Sequence, residues 1–259
     1  MSDFLQGKIA GKAVHRLGLA INYGIDAPGL EKALDLGINY IFYTAMRTGA
    51  LLPTLQSAIK KDREKLVIAT GPMFGYFPGM VRSGCESALR SLGTDYLDIF
   101  QLYWLGISSA WTEGVVEELQ KLREEGKVRM LGVSIHDRPR AGKLAEDSPL
   151  DMFMLRYNAA HPGAEREVFP HLSSRKPAVV AYTATNWGRL LKRPSGWSKP
   201  VPSAADCYRF CLSSPHVDLT LCGPKNLAQL QENLQGLEKG PLSPEEDAWM
   251  REFGRVVHG

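Results

Sequence analysis

From about Arg16 to the end of the chain, short apolar or β-branched runs alternate with longer stretches whose apolar residues recur at helical spacing. Runs of the first kind suit buried parallel strands, and stretches of the second kind suit amphipathic helices that cross back over a sheet. Eight strands are read at residues 16–20, 39–43, 66–70, 99–103, 130–134, 152–157, 178–182 and 217–222. The clearest helices between them cover 29–36, 48–60, 80–92, 113–125, 203–212 and 227–237. Gly93 and Gly126 each follow a helical run, where a residue without a Cβ adopts the left-handed conformation that closes a helix. Ser243 and Pro244 read as the cap and first position of a last helix reaching about residue 257. Ahead of the first strand, residues 4–14 are punctuated by Gly7 and Gly11 and read as a small hairpin.

Eight strand-helix alternations predict an α/β protein: one TIM-type (β/α)8 barrel domain over residues 1–259, its floor plugged by the hairpin and its outside carrying the extra C-terminal helix. A chain of 259 residues with 44% hydrophobic content supplies the core such a barrel needs. The formal net charge is only +3, with acidic and basic residues interleaved, which argues against a nucleic-acid partner. No cleavable signal pattern or bilayer-length apolar stretch is read, so the expectation is a cytoplasmic protein without a membrane role. Cys85, Cys207, Cys211 and Cys222 are too few and irregular for a disulfide framework and read as buried thiols, and no ligand spacing calls for a metal.

The run from Gly7 to Leu19, then Gly37-Ile38-Asn39-Tyr40, then Leu92-Gly93-Thr94-Asp95-Tyr96-Leu97-Asp98 stand in an order that is informative as a set. They are followed by Gly126-Lys127-Val128-Arg129-Met130-Leu131-Gly132-Val133-Ser134, Tyr157-Asn158, Ala181-Tyr182 and Gly223-Pro224-Lys225-Asn226. This series resembles the aldo-keto reductases over nearly the whole chain. The resemblance implies carbonyl reduction by NADPH, with a Tyr proton donor, an Asp and a Lys that tune it, and a His that orients the carbonyl.

Those catalytic positions hold other residues. Where the family's Asp ends the second strand, one counting gives Tyr43 and the other Phe42. The Tyr falls on Thr48 or on Arg47, the Lys on Gly71 and the His on Tyr103. On the cofactor side the resemblance assigns Tyr182 to the nicotinamide ring and Ser134 to its carboxamide, with Ile135 and Met154 replacing the usual amide companions. Gly223, Lys225, Asn226, Gln229 and Asn233 look like the segment for adenine and the 2′-phosphate. NADP(H), or no cofactor at all, are both compatible with this set.

The functional mouth of such a barrel lies at the C-terminal ends of its strands. There Tyr43, Tyr103 and His136 are the candidate catalytic groups, His136 with Asp137 beside it as a possible carboxylate partner. Arg47, Thr48, Phe74, Trp104, Arg156 and Trp187 are candidates for the wall of a small-molecule pocket, Phe74 belonging to the aromatic loop 71–79. Three functions stay open: a divergent enzyme using proton transfer on a small, perhaps aromatic, molecule; an NADPH-dependent oxidoreductase with a relocated donor; and a non-catalytic binding scaffold.

Overall fold

In the computed structural model, which describes residues 3–46 and 48–258, the eight strands close into a parallel barrel. A two-stranded hairpin, β1 (Gln6–Ile9) and β2 (Lys12–His15), precedes it. The barrel strands are β3 (Leu17–Ala20), β4 (Tyr40–Phe42), β5 (Val67–Thr70), β6 (Leu97–Leu102), β7 (Val128–Ile135), β8 (Met152–Arg156), β9 (Ala178–Tyr182) and β10 (Leu219–Cys222). They run round the barrel in chain order, and β10 pairs with β3 to close it.

Alternation along each strand separates two cores. Tyr40, Phe42, Val67, Ala69, Ile99 and Met154 fill the lumen, while Leu19, Ile41, Ile68, Phe100, Val133 and Phe153 face the surrounding helices. The hairpin turns at Ala10 (φ 52°) and Gly11 (φ 77°), the consecutive left-handed pair that a two-residue turn needs. Its Ile9 and Val14 join the lumen core, so the hairpin stoppers the floor as the glycine spacing predicts.

The floor is also tied electrostatically. Asp98, fully buried near the start of β6, accepts Lys12 Nζ from the hairpin at 2.8 Å, Arg63 Nη2 at 2.7 Å and the Ile68 amide at 2.9 Å. A buried carboxylate persists only when paired in this way.

Around the barrel lie α1 (Ala27–Asp35), α2 (Leu52–Asp62), α3 (Pro78–Leu92), α4 (Glu113–Glu124), α5 (Arg138–Glu146), α6 (Ala164–Glu167), α7 (Ala204–Ser213), α8 (Leu227–Leu237) and α9 (Pro244–His258). Gly93 closes α3 at φ 66°, its amide bonded to the Leu89 carbonyl, and Gly126 follows α4 at φ 74°. Ser243 Oγ accepts the Glu246 amide and starts α9, whose Met250 and Phe253 are buried against the barrel's outside. Helices α5 and α6 are absent from the sequence reading. Their apolar face is made of little more than Ala141, Leu144, Ala145 and Ala164, too small to stand out. Among the described residues, no helix is long and apolar enough to cross a membrane. All four cysteines are buried and free.

Candidate functional site

The pleat decides which side chains reach the mouth. Following the lumen positions of each strand upward leads to Phe42 on β4, Gly71 after β5, Tyr103 after β6, Ser134 and His136 on β7, Arg156 on β8 and Tyr182 on β9.

Of the two residues that could stand at the family's Asp position, Phe42 faces the lumen, while the Tyr43 ring belongs to the layer between barrel and helices. Tyr43 is therefore corrected as a candidate proton donor: its ring points away from the mouth. Tyr103 does face inward, packed edge-on against Phe42 with ring centres 5.9 Å apart. Its hydroxyl donates to the Tyr43 carbonyl oxygen at 3.3 Å, so the two phenols do not share a space. Burial pushes the Tyr103 hydroxyl well above the ordinary tyrosine range, outweighing hydrogen bonds from Thr70 and Gly71 that act the other way. A Cβ at Gly71 would fall 1.9 Å from the Gln101 carbonyl oxygen and 3.1 Å from Cζ of Tyr103. No side chain fits there, and the Tyr103 ring stands beside the space an amine would cross.

Across the mouth, β7 and β9 bring His136 and Tyr182 together. The Tyr182 hydroxyl is 3.0 Å from Nε2 and 3.3 Å from Nδ1 of His136, the tautomer deciding which nitrogen takes the bond. The rings lie 5.9 Å apart, and Trp104 lies 6.2 Å from the imidazole. Asp137 does not hold His136, as the sequence had allowed; its carboxylate accepts the Arg140 amide and caps α5. The imidazole pKa is lowered from its ordinary value, first by desolvation and then by the Arg156 charge. Burial raises the Tyr182 phenol to about 12, against the pull of Arg156 and hydrogen bonds from Ser134 and Trp104. His136, Tyr182, Trp104, Arg156 and Ser134 thus form one cluster, assembled from residues that the sequence had assigned to three separate roles.

Backbone strain gathers at the same end. Trp104 (φ 39°), Thr183 (φ 54°), Asn186 (φ 49°) and Trp187 (φ 57°) all occupy the left-handed region, most unusually for the β-branched Thr183. Asn158, fully buried, holds part of this in place by donating to the Thr183 carbonyl. The buried side-chain oxygens Asn22 Oδ1, Gln101 Oε1 and Thr183 Oγ1 have no hydrogen-bond partner.

The remaining expected wall residues are dispersed. Thr48 is buried with its hydroxyl spent on the Thr44 carbonyl, so it is corrected as a pocket residue; Arg47 lies outside the described residues. Phe74 is exposed and stacks on Tyr76, whose hydroxyl bonds the Ile107 carbonyl and joins the loops after β5 and β6 into a rim. Trp187 sits 6.4 Å from Tyr23. Sequence reading missed Tyr23, which covers Gly223: a Cβ on Gly223 would lie 2.8 Å from its ring.

The segment expected to hold adenosine is partly occupied with its own structure. Asn226 Oδ1 accepts the Gln229 amide and caps α8, and Gln229 Oε1 accepts the Lys225 amide. Lys225 remains exposed beside this helix N-terminus, a place suited to a phosphate, and Asn233 is buried. The nicotinamide end fits less well. Ile135 is turned to the outer core, and the Met154 sulfur accepts from Gln101 in the lumen, so neither can bond a carboxamide. Among the described residues no cluster of three metal-ligating side chains occurs.

His161, just beyond β8, carries a testable electrostatic load. Its pKa is lowered to about 4, first by burial and then by Arg156 and His258, from an ordinary 6.5. Between those values the unfolded chain binds a proton that the folded one refuses, so stability falls as pH drops through this window. Urea unfolding at stepped pH should show that slope, and His161→Asn should flatten it; an unchanged slope would dismiss His161 as its source.

The sequence pattern of the aldo/keto reductase family matches residues 20–200. The chain is 27% identical over 164 residues to methylglyoxal reductase YeaE of Escherichia coli K12, a match covering 61% of this chain and 57% of that protein. Its fold is similar to the holo form of aldo-keto reductase AKR11C1 from Bacillus halodurans, with a TM-score of 0.81 at 21% identity over 96% of this chain and 95% of that one. It is also similar to an aldo-keto reductase from Klebsiella pneumoniae in complex with NADPH, with a TM-score of 0.78 at 22% identity, covering 96% and 95% of the two chains.

Proposed function

This chain belongs to the aldo/keto reductase family, and from that footing we propose that it is a divergent member acting on a small polar molecule by proton transfer at His136, and not by the inherited carbonyl reduction. The observation that carries this reading is Gly71: the Lys position cannot accept even a Cβ, because the Gln101 carbonyl oxygen would be 1.9 Å away. Without that amine, and with Phe42 at the Asp position and Tyr103 at the His position, nothing lowers a phenol's pKa where the family needs its donor.

His136 has what a general base requires. It is neutral at physiological pH, it faces the mouth, and the Tyr182 hydroxyl orients its ring. The matching reaction class is removal of a proton from carbon next to a carbonyl: the C–H electron pair moves into the enolate, its oxygen pairs with the Arg156 guanidinium, and the proton rests on the imidazole. Reprotonation at the neighbouring atom would complete an isomerisation with no redox partner.

The test is exchange of carbon-bound hydrogen into deuterated water, followed by proton NMR on dihydroxyacetone, pyruvate and related small carbonyl compounds. The wild type should accelerate exchange in at least one probe, and His136→Gln should lose about 10² to 10⁴ of that rate, the usual worth of a general base. NADPH-dependent loss of methylglyoxal at full rate in His136→Gln would overturn this reading. It would support instead an NADPH-dependent reductase, which the exposed Lys225 at the α8 N-terminus favours. Absence of both activities makes the barrel a binding scaffold.

A further inference from the structure

A second concavity adjoins the mouth between α9 and the segment leaving β8, with a volume of about 450 Å³. Its form is set by two close approaches. Asn158 Oδ1 accepts the Ala160 and His161 amides and folds the segment back. Gly254 lets α9 lie against it, since a Cβ there would come 2.1 Å from the Ala159 carbonyl oxygen.

The wall is cationic on every side. Arg156 comes from β8, Arg138 from the start of α5 and Arg166 from α6, while Arg251 and Arg255 come from α9. His161 and His258 complete it, their rings edge-on at 4.8 Å. Two of the guanidiniums have carboxylate partners: Arg138 with Glu167 at 2.5 Å, and Arg251 with Glu165 at 2.9 Å and Asp247 at 2.7 Å. Among the described residues, none stands within ion-pair distance of Arg156, Arg166 or Arg255, and no carboxylate lines the concavity itself. Like charges crowded around a half-enclosed space repel one another. His161 is lowered to about 4 first by burial, and the charges of Arg156, His258 and Arg138 add to the same direction. Fork-shaped donors without acceptors suit phosphate or carboxylate oxygens.

We propose that this concavity is an anion-binding subsite for the phosphate or carboxylate group of a small-molecule substrate, with Arg156 shared between it and the His136–Tyr182 pair. Arg156 lines the concavity from the end of β8, and its charge bears on the imidazoles of both His136 and His161. Anion binding is independent of the proton-transfer reading; the assignment of that anion to the substrate rests on it.

Binding is measured by isothermal titration at low salt with inorganic phosphate, pyrophosphate and citrate as probes, while the His161 and His258 imidazole resonances report the place. Saturable binding with shifts at both histidines is expected. The double variant Arg166→Ala/Arg255→Ala, which removes two exposed guanidiniums with no ion pair, should weaken it by about tenfold or more and leave NADPH titration unchanged. Preference for pyrophosphate over citrate assigns a phosphate ester, and the reverse a polycarboxylate. No saturable binding by any probe, or binding unaltered in the double variant, overturns the subsite. Anion binding at this place with no hydrogen exchange in any carbonyl probe retains the subsite and rejects proton transfer instead.

Discussion

Gly71→Ala should destabilise the barrel by about 3 kcal/mol or more, the scale at which overpacking has no room to relax. The added methyl carbon meets not a flexible side-chain end but the Gln101 carbonyl oxygen, 1.9 Å away on the neighbouring strand. Relief requires the end of β5 to move away from β6, and their paired residues Ala69 with Ile99 and Thr70 with Phe100 oppose that. Urea denaturation measures the loss. Gly79→Ala is the control, because a Cβ there meets nothing within 4 Å and lies in the first turn of α3; it should be neutral or stabilising by about 0.5 kcal/mol. A loss at Gly71 below about 1 kcal/mol would mean that the strands yield easily, and the amine position could then be refilled. If the strands hold, Gly71→Lys will not seat an amine at this position without an unfolding cost of the same size.

Asp98→Ala should cost about 3 to 5 kcal/mol, the range for removing one partner of a buried ion pair. The carboxylate is wholly enclosed and collects Lys12, Arg63 and the Ile68 amide. Its loss leaves Lys12, Arg63 and, at 3.8 Å, Arg129 without their shared carboxylate at the barrel floor. Lys12 can still reach the Leu66 carbonyl at 2.8 Å, so the hairpin need not detach completely. Amide exchange in β1 and β2 should nonetheless quicken more than elsewhere, because Lys12 is the hairpin's link to Asp98. A shift below about 1 kcal/mol, or exchange quickened evenly throughout, would show that the hairpin does not depend on Asp98 for its hold.

What the sequence made legible follows from the range of each signal. Strand runs and the glycines at 93 and 126 are local, and they placed the barrel within a few residues. Helix α5 escaped because Gly142 and small apolar residues carry its packing; a Cβ on Gly142 would sit 2.6 Å from the Glu167 carbonyl. The four positions where the resemblance expects catalytic groups could be located because family-like motifs flank them. Tyr43 shows how little that guarantees, since one residue along a strand separates the lumen from the helix layer. The His136–Tyr182 pair unites positions 46 apart in the chain on alternate strands, and the cationic concavity joins α9 to residues near 160. Neither leaves a mark that spacing can detect.

The closeness of β5 and β6 at Gly71 also has a historical consequence. Once a lineage carries glycine there and the strand ends have closed to that distance, a single mutation back to lysine meets a backbone atom before it can restore any benefit. Return needs the strands parted and the Tyr103 ring withdrawn in the same step. Substitution acting one change at a time therefore keeps glycine at this position for as long as the strands hold that spacing.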